Sequence, residues 1–78
     1  MREKVLALLE GVLPQIDFTG DALVDSGILD SLSLVTAIGE LSMEFGVTVP
    51  YEEITPCNFN SLDAIVRLVE RLTGGQGW

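Results

Sequence analysis

Gly27-Ile28-Leu29-Asp30-Ser31-Leu32-Ser33-Leu34-Val35-Thr36-Ala37-Ile38-Gly39-Glu40-Leu41-Ser42-Met43-Glu44-Phe45-Gly46 is the stretch that decides the fold of this chain. Asp30 suits a helix N-cap, because its carboxylate can accept from the backbone N–H of Ser33. Ser31 then becomes the first helical residue, with its oxygen in solvent. In a helix running from Ser31 to Phe45, Leu34, Ile38, Leu41 and Phe45 form one buried stripe, and Gly46 fits the left-handed position that ends it. Val35, Gly39 and Met43 recur every four residues on a different side, with Leu32 near the same outer surface, so an apolar strip lies open beside the serine. A phosphate attached to the Ser31 oxygen would sit at the positive end of the helix.

Upstream, Val5, Leu9, Val12 and Ile16 follow i, i+4, i+7, i+11 spacing, which predicts a first helix from Arg2 to about Leu13, ended or kinked by Pro14. The polar stretch Asp17 to Asp25, with Gly20, reads as a long loop crossing to the second helix. Downstream, Val49-Pro50-Tyr51-Glu52-Glu53-Ile54 predicts a single helical turn, stopped by Thr55-Pro56. Asn60 or Ser61 caps a last helix that turns Leu62, Ile65, Val66, Val69 and Leu72 inward and pairs Asp63 with Arg67 on the surface. The expected architecture is an all-α bundle of three longer helices and one short one, with a domain over residues 1–73 and a C-terminal tail over 74–78 in which Trp78 is an unpacked terminal aromatic.

Composition narrows the function. A chain of 78 residues is one small domain near the lower limit for a single core, and 47% hydrophobic content with three prolines favours a compact helical fold over disorder. Four Lys or Arg against twelve Asp or Glu give a charge of −8, which repels nucleic acid and anionic membranes and attracts basic protein surfaces. No cation occurs between Lys4 and Arg67, so the middle of the chain is uniformly anionic. The longest apolar run near the N-terminus is Val5 to Leu9, far short of the roughly 20 residues that span a bilayer, and no signal-peptide pattern precedes it. One cysteine, Cys57, excludes an internal disulfide and fits a reducing compartment, the cytoplasm. A monomer that begins at Met1 and stands apart from any larger chain is the expected form.

The residues for autonomous catalysis are missing. There is no histidine to serve as general base, so Cys57 reads as a partly buried small apolar residue and the chain as no enzyme. One Cys and no His cannot build a zinc site, and Asp21, Asp25 and Asp30 are too loosely spaced for a calcium loop. What remains is modification of an exposed hydroxyl by other proteins. Ser26, in Asp25-Ser26-Gly27, competes with Ser31 for that role, but it precedes a glycine in a loop rather than an amphipathic helix.

Asp30-Ser31-Leu32, the helix ending in Phe45-Gly46 and the following Val47-Thr48-Val49-Pro50 together resemble the acyl and peptidyl carrier proteins. In that family the serine of Asp-Ser-Leu carries 4'-phosphopantetheine, placed there by a phosphopantetheinyl transferase from coenzyme A. The terminal thiol then holds acyl or aminoacyl groups as thioesters. The resemblance covers nearly the whole chain to Leu72 and implies a non-catalytic carrier subunit of a multi-enzyme pathway, with Ser31 as attachment point flanked by Asp30 and Leu32. It further implies that Leu32, Val35, Thr36, Gly39, Glu40 and Met43 face partners.

Two departures from fatty-acid carriers bear on the subgroup. After Asp30 the second helix has only Glu40 and Glu44 as carboxylates, where fatty-acid carriers are rich in them, so docking should depend less on salt-sensitive steering. Gly27-Ile28-Leu29-Asp30 places two apolar residues between glycine and aspartate, where typical fatty-acid carriers have one. That approach, and Phe59-Asn60-Ser61 before the last helix, are similar to stand-alone D-alanyl carrier proteins, which are served by a separate adenylating ligase. The expected partners are therefore a transferase, an adenylating acyl or aminoacyl ligase and a downstream acyltransferase or condensing enzyme. The alternatives are a fatty-acid or polyketide synthase carrier, or an unmodified acidic helical interaction module.

Overall fold

The structure, a computed structural model, describes residues 1–74; Gly75 to Trp78 lie outside the described residues, and with them the expectation for Trp78 and, Gly74 apart, for the tail. The described residues form helices and connecting turns: α1 (Arg2–Val12), α2 (Ser31–Phe45), a 3-10 turn (Tyr51–Glu53), α3 (Pro56–Phe59) and α4 (Leu62–Leu72). The all-α bundle of three longer helices and one short one is what the chain builds, with α1 packed on α2 and α4, and α3 on α4.

Pro14 ends α1 rather than kinking it. The residue before a proline is driven out of the helical region, and Leu13 has φ −131° and ψ 63°. The buried stripe of α1 is Val5 and Leu9 continued by Leu13 and Ile16, whereas Val12, expected inside, is only partly buried. The short helix is displaced from its expected place. Residues 51–53 make a single 3-10 turn, and Pro56, read from sequence as a stop, instead starts α3, where its missing N–H leaves nothing unsatisfied. Cys57, on this helix, is exposed rather than partly buried.

The core stripe of α2 also differs from its expected line. Ala37, Leu41 and Phe45 are buried, while Leu34 and Ile38 flank them half-covered, so the axis of burial is turned by about one residue toward the small Ala37. On α4 the buried set is Leu62, Ala64, Ile65, Val66, Leu68 and Val69, with Leu72 only partly covered. Asp63 is not paired with Arg67 as expected; it pairs with Arg2 across the α1–α4 contact. The largest correction concerns the connection from Asp17 to Asp30, whose stretch Asp17 to Asp25 was expected to be a polar crossing. It has no regular structure, yet Phe18, Leu23 and Leu29 are buried within the core cluster alongside Phe59 and Leu68. The connection is anchored at three points by apolar side chains.

Candidate functional site

The last of those anchors sits two residues before Ser31. Leu29 is 1% exposed and its N–H donates to the carbonyl of Leu23 at 2.8 Å. Between them the chain turns back through Gly27, whose φ of +84° lies in the left-handed region that favours glycine. Asp30 follows in an extended conformation and caps α2. Its carboxylate accepts from the backbone N–H of Ser33 at 2.8 Å, and its carbonyl takes the first helical bond from Leu34, also at 2.8 Å. The backbone N–H of Ser33, with its side chain, holds the Asp30 carboxyl below the usual aspartate value.

Ser31 is therefore the first residue of α2, as expected, and it is exposed. Among the described residues its hydroxyl has no hydrogen-bond partner. Ser26 differs, since its hydroxyl donates to the Leu23 carbonyl and accepts from the Ile28 N–H, both at 3.5 Å. Of the two candidate hydroxyls, one helps hold the loop and the other is unengaged. An anionic phosphodiester on the Ser31 oxygen would lie beside the first backbone N–H groups of α2, which have no acceptor within the helix. The local chemistry thus fits a phosphate-linked group.

The outer face of α2 is open in the way the four-residue spacing predicts. Leu32, Val35 and Met43 are 78%, 67% and 72% exposed, and a methyl group added at Gly39 would meet nothing within 4 Å. Thr36 and Glu40 are half-buried at its edge, with the Thr36 hydroxyl donating to the Leu32 carbonyl at 3.0 Å. Two exposed apolar residues were missed by sequence reasoning, Ile28 just before the serine and Tyr51 on the 3-10 turn. Ile28 was legible as the additional apolar residue between Gly27 and Asp30, whereas Tyr51 carries no periodic signal. Asn60, offered by the sequence as a cap of the last helix, leaves that role to Ser61 and binds elsewhere. Its side-chain oxygen accepts from the N–H groups of Val24 and Asp25, and its amide donates to the Asp25 carboxylate. No helix among the described residues is long and apolar enough to cross a membrane.

Comparison with known proteins agrees with this geometry. The family described as "phosphopantetheine attachment site" matches residues 3–71. "Aminoacyl carrier protein 1" of Bradyrhizobium diazoefficiens is 35% identical over 74 residues, covering 88% of this chain and 81% of that protein. "Aminoacyl carrier protein 2" of the same organism is 34% identical, covering 99% of this chain and 92% of its own. The "D-alanyl carrier protein" of Leuconostoc citreum is 28% identical, covering 95% and 97%. No solved structure matches the chain. An unbonded hydroxyl at a helix start, an apolar face beside it and these matches together identify the chain as a member of the phosphopantetheine-attachment family, non-catalytic carriers that hold acyl or aminoacyl groups as thioesters on a 4'-phosphopantetheine borne covalently by a serine.

Proposed function

We propose that Ser31 is the serine that bears the prosthetic group, and that the thiol is charged in trans, by a stand-alone adenylating ligase, with an amino acid or another small carboxylic acid. The carrying observation is the Ser31 hydroxyl, exposed at the first position of α2 and free of hydrogen bonds among the described residues. A phosphopantetheinyl transferase supplies the group from coenzyme A. A downstream acyltransferase or condensing enzyme then takes the acyl group, and the small acidic domain works as a monomer in the cytoplasm. Leu32, Val35, Thr36, Gly39, Glu40 and Met43 form the surface on which these proteins dock, with Ile28 extending it toward the serine.

Support for an amino-acid cargo comes from the relatives, named as aminoacyl and D-alanyl carriers, and from α2, where Glu40 and Glu44 are the only acidic residues. The fatty-acid or polyketide alternative has neither support. Incubation with a broad-specificity transferase and coenzyme A, followed by intact mass, tests the site: the chain should gain one phosphopantetheine and the Ser31→Ala variant none. Modification that survives in Ser31→Ala would move the site to another hydroxyl. Charging the modified chain with single amino acids and candidate ligases tests the cargo, and thioesters formed only with long-chain acids would overturn it.

A further inference from the structure

The segment that delivers Ser31 is irregular over residues 13–30, yet it must present one hydroxyl in a fixed place. Beside its buried apolar anchors, one residue far away in sequence grips it through hydrogen bonds. Asn60 sits between α3 and α4, with the fully buried Phe59 on one side and the Ser61 cap and buried Leu62 on the other, so its backbone is immobilised by the core. From that fixed position it makes four bonds to three consecutive residues. Its carbonyl accepts from Leu23 N–H at 2.8 Å, its side-chain oxygen accepts from Val24 N–H at 2.9 Å and Asp25 N–H at 3.1 Å, and its side-chain amide donates to Asp25 Oδ2 at 3.1 Å. Leu23 in turn accepts from Leu29 N–H, directly before the Asp30 cap.

We propose that Asn60 is a positioning residue for Ser31, acting through Leu23, Val24 and Asp25 to set where the approach 27–30 begins α2; this rests on reading Ser31 as the attachment point. Both ends of the amide are used, the oxygen on two backbone donors and the nitrogen on a carboxylate. An aspartate at position 60 keeps the acceptor but sets a second carboxylate against Asp25. Exchanging the two groups restores the complement, because an aspartate at 60 still accepts from Val24 and Asp25 N–H while an asparagine at 25 donates back to it.

The experiment measures transferase kcat and KM on the whole chain, at a temperature where each variant is folded by circular dichroism, together with amide exchange at Leu29 and Ser33. Asn60→Ala and Asn60→Asp should each lower kcat/KM by about tenfold and speed exchange at Leu29. Asn60→Asp combined with Asp25→Asn should recover kcat/KM to within about twofold of the parent, a rescue that general loss of stability does not produce. Ile65→Val, which weakens the core from α4, serves as the control with parent kinetics. Parent-like kcat/KM in both single variants, or a paired variant no better than Asn60→Asp, would overturn the proposal. If Ser31→Ala is still modified, the reading of Ser31 fails instead, and the clasp then stands or falls on exchange at Leu29 and Ser33 alone.

Discussion

α2 and α4 are both amphipathic, but they use their apolar residues differently. α4 sorts them cleanly: six of its eleven residues are buried, while Asp63, Arg67, Glu70 and Arg71 face water. α2 is the more apolar helix and the longer, at fifteen residues, yet it buries only Ala37, Leu41 and Phe45. Its surplus, Leu32, Val35 and Met43, stands in solvent. A lone exposed apolar side chain is ordinary, but three along one side of a helix that also starts at an unbonded serine are not accounted for by folding. The contrast separates a helix that holds the domain together from one whose apolar side is left open, the side proposed above for docking.

The sharpest way to break the contrast is to truncate matched leucines. Leu68→Ala on α4 should cost about 2–5 kcal/mol in urea denaturation, since Leu68 is fully buried and leaves a cavity. A smaller effect of a different kind is expected on α2. Replacing Leu32 and Val35 together by Ala should leave stability within about 0.5 kcal/mol and lower kcat/KM for transferase or ligase by about tenfold. A loss of several kcal/mol there would place both residues in the core and erase the distinction.

Gly39→Ala sharpens the comparison at a single methyl group. Gly39 is helical and exposed, so alanine should raise stability by about 0.5–1 kcal/mol, seen as a higher midpoint in urea. If the docking face includes this position, the same variant should load more slowly although it is the more stable protein. The smallest effect concerns the Asp30 cap. Its carboxyl is held below the ordinary 3.8 in the folded protein by the Ser33 N–H, so its contribution is fully present above that value and is lost as pH falls through the lower folded value. Asp30→Asn, which caps without titrating, should melt like the parent at neutral pH and show a shallower decline below about pH 4.

The parts of the fold legible in the sequence are those written within one helical turn. Asp30 and Ser33 mark the start of α2, and Gly46, at φ +63°, marks its end, so both boundaries fall where the spacing places them. Ser61 capping Ala64 is likewise local. Burial without periodicity was hidden: Phe18 and Leu23 enter the core from the stretch Asp17 to Asp25, whose composition makes it look like a polar crossing, and Leu29 follows them just beyond it with no repeat to mark it. Pro56 is ambiguous in principle, because a proline that cannot continue a helix is also well suited to begin one. Asp63 had an i+4 partner on paper and took Arg2 from another helix instead. The exposed place of Ser31 at the start of α2 and the open outer face of that helix were readable, whereas the bonds of Asn60 span about thirty-five residues and have no local signature.

Leu29 buried two residues before Ser31, with the Asp30 carboxylate closing the helix start between them, has a mechanical consequence. A chain tethered at Ser31 would pivot on an anchorage rather than on a slack strand, so the protein adds almost no reach of its own. The volume searched by the thiol, and hence its effective concentration at any pocket, is then governed by the length and stiffness of the tether and by how closely a docked enzyme brings its entrance to that one point.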